Sequence, residues 1–346
     1  MKIDFSNQSL PAPNTFFEKQ VITFIQEWFD HSKTVRVQTS GSTGSPKVFE
    51  IEKERMRYSA NKTCDILGLK EGDSALLCLP IEYISGKMMV VRAIERKLKL
   101  FVKIPSTKPV IDLNEEIDFC AMSPLQVEHS LDKIHLIKNI IIGGAAVSES
   151  LKIKIKASLN SNNQILTNHN HLYETYGMSE TLSHIALKQI YPTTEDYFKV
   201  LDGFEISLDE RSCLQINAPQ LNPEVLITND LVEINNSKEF KFLGRIDHVI
   251  NSGGLKIYPE QLESLVKKEI PNELVFTGIA DELLGQKLVL IIESIEHPAI
   301  KRQLEKIIYP TKNHQPKEII YIGTFPRIPN GKIDRRKLNT MVSGII

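Results

Sequence analysis

Residues 38–51 read QTSGSTGSPKVFEI. Gly41 and Gly44 stand among the hydroxyls of Thr39, Ser40, Ser42, Thr43 and Ser45, and Lys47 follows them. Free amides, hydroxyls and an ammonium together suit a phosphate, because loops of this make-up form anion-binding nests. A Walker A loop would need Gly-Lys-Ser/Thr running into a helix. Here Lys47 follows Pro46, Val48 stands where the Mg2+-binding hydroxyl would be, and residues 48–51 read as a strand. Residues 35–39 alternate in the same way, so the loop is expected to join two strands of a hairpin. An ordinary polar turn has the same composition. The choice between them depends on what else the chain carries.

Five further segments hold groups of chemical interest. A strand running into Ile142-Gly143-Gly144 lets a flat group approach bare backbone, although a structural turn reads the same way. Residues 173–181, YETYGMSET, offer aromatic rings that can stack on a base, a Ser179 hydroxyl that can bond a phosphate and a Glu180 carboxylate that can hold Mg2+. A strand end with a capping serine is the plain alternative. Thr228-Asn229-Asp230 ends a strand in a carboxylate able to accept from two ribose hydroxyls, or else forms a turn. Residues 242–263 carry Arg245 and Asp247, then Gly253-Gly254 before a helix opened by Pro259. Residues 326–335, PRIPNGKIDR, hold Lys332 in a loop braced by two prolines and a glycine. His169 and His171 share a strand face two residues apart, but no third ligand accompanies them, so solvated or core histidines are expected rather than a metal pair.

These groups need elements to position them. Phe17, Val21, Phe24, Ile25 and Trp28 share one face of a helix over residues 16–29. A helix over 52–67 ends near Gly68, a strand over 74–79 stops at Pro80, a helix covers 86–96 and a strand 98–104. Short apolar strands are expected at 118–122, 139–142 and 164–167, with helices between them. Strands alternating with helices predict a parallel α/β sheet. From about Glu205 the texture changes to short strands and turns, which suggests a small β-rich subdomain. After Asp247 come a helix at 259–269, strands at 274–279 and 288–292, a helix near 299–308 and a strand at 318–322. A domain boundary is placed at 245–248.

The bulk properties agree with a chain able to build a large soluble core. The chain has 346 residues, 41% hydrophobic and 25% charged, enough for two or three domains with substantial cores. A net charge of −1 gives no general pull toward nucleic acid or anionic lipid. No apolar run approaches the ~18 residues of a membrane span, and no long apolar stretch near the N-terminus suggests a signal peptide. Cys64, Cys78, Cys120 and Cys213 lack C-x-x-C spacing, so reduced thiols and a cytoplasmic location are expected.

Taken in order, the loop and the five segments resemble the adenylate-forming superfamily of acyl- and aryl-CoA synthetases, luciferases and peptide-synthetase adenylation domains. The likeness runs from about Arg36 to Leu338. It implies an α/β fold with a large N-terminal domain of layered sheets (1–246, including the β-rich subdomain) and a small mobile α+β lid domain (247–346) carrying the catalytic lysine. It implies that residues 39–47 (Thr39, Ser40, Gly41, Ser42, Thr43, Gly44 and Lys47 among them) hold the β- and γ-phosphates of ATP. Gly143, Gly144 and Tyr176 would line the adenine pocket, Ser179 would meet the α-phosphate, and Glu180 would bind Mg2+. Asp230 and Arg245 would hold the ribose, Asp247 would be the hinge, Gly253 and Gly254 would open a tunnel for CoA, and Lys332 would promote adenylation. A carboxylic acid would be activated as an acyl-adenylate with release of pyrophosphate, then passed to CoA with release of AMP.

The sequence departs from the family in places. Some 38 residues precede the loop, against a longer stretch in typical members. Ser179 replaces a threonine and keeps the hydroxyl. Asn229 replaces a glycine, a mild change where a left-handed backbone is needed. Tyr83 stands where many members carry an aromatic-plus-His pair. The short chain and the stretch LPIEYISGKMMVVRAI look most like the short o-succinylbenzoate–CoA ligases of menaquinone biosynthesis. A dicarboxylate substrate would want a cation or hydroxyls near its pocket. Tyr83, Ser85, Lys87 and Arg92 are candidates, with Lys87 expected to face the acid. Loading of a carrier protein in place of CoA, or a nucleotide-binding module without catalysis, are the alternatives. The presence of Lys332 and Glu180 speaks against the second.

Overall fold

The computed structural model describes residues 1–7, 9–38, 48–162, 170–327 and 333–343. The predicted phosphate loop (39–47), the predicted strand at 164–167, His169 and Lys332 lie outside the described residues.

The chain opens with β1 (Lys2–Asp4) and helix α1 (Phe16–Phe29). Thr15 caps α1: its hydroxyl accepts from the Glu18 amide, and the Glu18 carboxylate accepts from the Asn14 and Thr15 amides. The five predicted apolar residues of α1 are all buried. β2 (Thr34–Gln38) and β3 (Val48–Glu52) form the expected antiparallel hairpin, with Gln38 opposite Val48. Helix α2 (Lys53–Ile66) ends at Gly68, whose positive φ of 64° turns the chain back. Then come β4 (Ser74–Leu77), α3 (Ile84–Glu95), β5 (Lys99–Val102), β6 (Ile117–Met122), α4 (Pro124–Glu128), β7 (Ile137–Ile142), α5 (Glu149–Asn162) and β8 (His171–Gly177).

β5, β4, β6, β7 and β8 pair in that order, all parallel. Their apolar runs, such as Ile140-Ile141-Ile142, belong to a sheet covered on both faces. One face packs on α1, α2 and α3 around Trp28, Met56 and Phe119; the other buries Leu76, Ile140, Leu151 and Ile155.

The β-rich stretch is not a separate sheet. β9 (His184–Tyr191), β10 (Phe198–Val200), β11 (Glu205–Leu208), β12 (Cys213–Asn217), β13 (Leu226–Asn236) and β14 (Glu239–Arg245) continue antiparallel from β8 in the order β9-β10-β14-β13-β12-β11. The result is one twelve-stranded sheet; Tyr176, Asp230 and Arg245 lie on its strands, with Asp230 inside β13 and not at the strand end expected for it. Beyond it, β15 (Ile250–Ser252), β16 (Leu255–Ile257), β17 (Leu274–Asp281), β18 (Gly285–Glu293) and β19 (Glu318–Ile322) form a five-stranded sheet. Helices α6 (Pro259–Val266), α7 (Pro298–Leu304) and α8 (Arg335–Ser343) accompany it. It has a core on each face, one around Phe276 and Leu290, the other around Val289, Phe325 and Leu338.

β1, β9, β10, β15, β16 and α8 lie outside the sequence expectations. Four of these are three-residue strands or have little alternation, so their pairing is decided by distant partners rather than by local pattern.

Candidate active site

The strand pairing itself assembles the centre of the site. β13 and β14 run antiparallel with Asp230 opposite Arg245. The Arg245 guanidinium reaches Asp230 Oδ1 at 3.3 Å and Asp247 Oδ2 at 2.7 Å. The other Asp230 oxygen accepts from the Tyr176 hydroxyl at 2.5 Å. Tyr176 is packed edge-on against Phe240, with ring centroids 4.9 Å apart, and beside Phe198 and Phe242. Burial and the Asp230 carboxylate push its phenol pKa well up, so it stays a neutral donor. Arg245 in turn holds the Asp247 carboxyl below the usual carboxylate range. Tyr176, Asp230, Arg245 and Asp247, 71 residues apart from first to last in numbering (247 − 176), thus form one bonded chain.

Gly143 follows β7, next to the Thr175 hydroxyl of β8: a Cβ there would meet Thr175 Oγ1 at 2.6 Å. Gly144, with φ of 86°, turns the exposed backbone away. The strand end at Ile142-Gly143 therefore lies against Glu174 and Thr175, the residues just before Tyr176. Ser179 and Glu180 sit on a 3-10 turn (Ser179–Thr181) just past β8, with Glu180 exposed. Thr181 ties that turn down, donating to the Ser183 carbonyl at 2.7 Å. Gly177 packs directly on the same segment. A Cβ at 177 would lie 2.2 Å from the Ser183 carbonyl oxygen.

Beneath this turn lies a cation that the sequence left among four substrate candidates. Arg92 is 2% exposed, donates to the Ser183 hydroxyl at 2.6 Å, and has no carboxylate partner among the described residues. Its Nε is buried and unbonded. Burial draws its pKa down to about 10, so it remains charged at neutral pH. His184 lies next to it, its ring nitrogens 3.3 Å from the Thr63 and Ser183 hydroxyls.

Helix α3 separates the remaining candidates by its periodicity. Ser85 and Arg92 are seven residues apart, which at about 100° per residue puts them on one face; Lys87 is about 200° from Ser85. The contacts agree. Lys87 is 9% exposed and points toward α1, its ammonium 4.2 Å from the Phe24 ring centre. It lines a cavity of about 290 Å3 with Phe16, Gln20, Glu27 and Glu82. Burial lowers its pKa against the opposing pull of Glu27 and Glu82. The structure therefore places Lys87 on the α1 side and Arg92 on the Ser183 side. Tyr83 forms a bridge with Gln38, the last residue of β2. Ser85 is exposed.

Gly253 and Gly254, with φ of 56° and 79°, make the exposed turn between β15 and β16. His171 stacks on Tyr173, and its Nδ1 lies 3.1 Å from the Gln189 amide. No group of three or more His, Cys, Asp or Glu able to hold a metal occurs among the described residues. The sequence reading missed the packing role of Gly177, the half-buried Ser183 with the buried His184, and Arg211, which bonds Asn229. No local pattern marks any of them. Asn229 itself is not left-handed; among the described residues the left-handed non-glycine residues are Lys97, Leu182 and Ser212. Its replacement of glycine is therefore a matter of its side chain.

The mixed twelve-stranded sheet and the five-stranded α+β unit that follows it have a counterpart among solved structures. No family model matches the chain. The crystal structure of an AMP-forming acyl-CoA synthetase/AMP-acid ligase II-like protein from Dyadobacter fermentans superposes with a TM-score of 0.67 at 32% identity, over 99% of each chain. A 2-succinylbenzoate–CoA ligase of Listeria monocytogenes is 26% identical over 90% of this chain, and a pseudomonine synthase of Pseudomonas entomophila 24% over 88%. The chain spans 71% of that ligase and 56% of that synthase. It belongs to the family of AMP-forming acyl-CoA synthetases and AMP-acid ligase II-like proteins.

Proposed function

We propose that the protein is an acid–CoA ligase that activates o-succinylbenzoate with ATP and transfers the acyl group to CoA. The observation that carries this reading is the bonded chain from Tyr176 through Asp230 and Arg245 to Asp247. It offers a flat ring, a carboxylate and a guanidinium at one strand edge, in the arrangement a nucleoside needs. The similarity to a 2-succinylbenzoate–CoA ligase supports the choice of acid.

In the first half-reaction a substrate carboxylate oxygen attacks the α-phosphorus of ATP. The bond to the bridging oxygen breaks, and pyrophosphate leaves. Tyr176 and the bare backbone at Gly143-Gly144 hold the base, and Asp230 with Arg245 holds the ribose. The Ser179 hydroxyl donates to the α-phosphate. Residues 39–47 hold the leaving group, and Lys332 neutralises charge that accumulates as two anions meet. Mg2+ usually binds through one or two carboxylates plus the substrate's own phosphates. The single exposed carboxylate of Glu180, beside Ser179, fits that requirement. When bound, the ion lowers the charge on the phosphates. In the second half-reaction a thiolate attacks the acyl carbon, the carbon–oxygen bond to AMP breaks, and AMP leaves. Gly253 and Gly254 leave room for the pantetheine arm.

The two half-reactions want different surroundings. Residues 1–246 are read as the substrate-binding body and 247–346 as a lid that turns about Asp247. The acid's second carboxylate is assigned to Arg92, with Ser183 and Ser85 on the same side, rather than to Lys87. The need for ATP and CoA supports a cytoplasmic location. No helix among the described residues is long and apolar enough to cross a membrane.

Mass spectrometry decides the matter. Purified protein is given ATP, Mg2+, CoA and a panel of acids. o-Succinylbenzoyl-CoA with AMP is the expected product. A different acyl-CoA would move the substrate but keep the reaction. Pyrophosphate release without a thioester would point to a carrier protein as the acceptor.

A further inference from the structure

The side-chain amide of Asn229 joins two groups that would otherwise be separate. Arg211 is fixed on one side by Asp209, whose Oδ2 accepts from its Nε at 2.8 Å and lies 2.7 Å from a terminal nitrogen. On the other side Arg211 donates to Asn229 Oδ1 at 2.9 Å and to the Thr228 carbonyl at 2.8 Å. A guanidinium has only donors, so the amide oxygen of Asn229 must face it. The Asn229 Nδ2 group is thereby turned toward Asp247, and it donates to Oδ1 at 3.0 Å. The other oxygen of Asp247 accepts from Arg245.

Asp247 is thus held by two restraints of different origin. One runs through Asn229 and Arg211 to Asp209 in the β11–β12 turn. The other runs through Arg245, which also serves Asp230 and, in the reading above, the ribose. A ribose that draws on Arg245 and Asp230 weakens the second restraint and leaves the first untouched. Asparagine is the residue that fits between a guanidinium and a carboxylate. Glycine would bond neither, and aspartate would set one carboxylate against another.

We propose that Asn229, anchored by Arg211, is a positioning residue that fixes the resting orientation of the segment Ile246–His248 through Asp247, and that it bears this alone once nucleotide is bound. The nucleotide part rests on the reading of Asp230 and Arg245 as ribose ligands; the link itself does not.

The test is hydrogen exchange, read by mass spectrometry on the full chain with and without AMP. The Val249 amide, which donates to the Ile246 carbonyl, reports on the segment. Asn229→Gly, Asn229→Asp and Arg211→Ala are each expected to speed its exchange about three- to tenfold without AMP, the value of one hydrogen bond. Asn229→Asp should be the fastest. The double variant Asn229→Gly/Arg211→Ala should be no faster than Asn229→Gly, because both remove one link. Arg211→Lys should recover part of the loss, which a purely packing role would not predict. With AMP the gap between wild type and Asn229→Gly should widen. Unchanged exchange in both Asn229→Gly and Arg211→Ala overturns the proposal, as does additivity in the double variant. AMP without effect on wild-type exchange at Tyr176, Asp230 and Val249 would remove the ribose reading, while the nucleotide-free comparison still decides the link.

Discussion

The strand-borne and turn-borne parts of the proposed site are held by different means. Asp230 is 9% exposed, lies in a sheet register opposite Arg245 and has both oxygens bonded. Gly143 and Tyr176 extend or end strands of the same sheet. By contrast Glu180, Asp247, Gly253 and Gly254 are exposed residues on short turns. Side chains on packed strands keep their geometry through a catalytic cycle, whereas exposed turns with few contacts open cheaply. Nucleotide recognition is thus assigned to the rigid frame, and the change between half-reactions to the turns.

Two substitutions set this contrast at its widest. Lys332→Ala is expected to lower adenylate formation by about 10^2- to 10^3-fold, the usual effect of removing one electrostatic contact to a transition state. Conversion of a supplied acyl-adenylate to thioester should continue. Equal loss in both steps, followed by pyrophosphate exchange and thioester assays, would remove the assigned role. Gly177→Ala should act the other way, through the frame. Its Cβ would sit 2.2 Å from the Ser183 carbonyl and 2.5 Å from His184 Cα, neither of which can give way. A loss of about 2–3 kcal/mol in urea unfolding is expected, with both half-reactions impaired together. A stable Gly177→Ala protein with one half-reaction intact would dissolve the distinction.

The contrast also explains what could be read from the sequence. Helix α1 was legible because five apolar residues recur at helical spacing. The hairpin was legible because both strands alternate beside a Gly/Ser loop. The parallel strands announced themselves as apolar runs, and the order of the motifs pointed to the family. What was not legible depends on partners far apart in the chain. Nothing local says that β10 stitches β14 to β9, which puts Tyr176 against Phe198 and Phe240. Lys87 and Arg92 look alike as cations on one helix, and only the packing shows which of them has Ser183 as its neighbour. Asn229 reads as a backbone substitute for glycine until Asp247 and Arg211 are placed beside it.

The two cations of α3 sharpen the comparison within the frame. Arg92 is buried with no acid beside it among the described residues, so it adds little to stability. Arg92→Met should change stability by no more than about 1 kcal/mol, because the lost bond to Ser183 is offset by relief of a buried charge. The KM for o-succinylbenzoate should rise about tenfold, and that for ATP should stay. Lys87→Ala should leave both constants near the wild-type values, since Lys87 faces Phe24 and α1. The reverse pattern in steady-state kinetics would return the acid to Lys87.

The smallest expected effect is a pH dependence of stability at His184. Burial, and then the Arg92 charge, hold its imidazole well below the ordinary value of 6.5, so it is neutral in the folded protein. Its ring faces Thr63 and Ser183, and no carboxylate pairs with it among the described residues. Above pH 6.5 neither folded nor unfolded chain protonates it, and it imposes no penalty. As pH falls below 6.5 the unfolded chain gains a proton that the folded chain refuses, so stability is lost down to the folded pKa, at up to about 1.4 kcal/mol per pH unit. Between pH 7 and 5.5 this residue should account for about 1 kcal/mol of the loss. Urea midpoints of His184→Asn across that range should show a shallower decline than wild type. Arg92→Met should also flatten it, because removing the neighbouring charge lets the folded imidazole protonate more readily. Parallel declines in all three proteins would mean that the frame beneath Ser183 admits the proton, and is less rigidly closed than its packing implies.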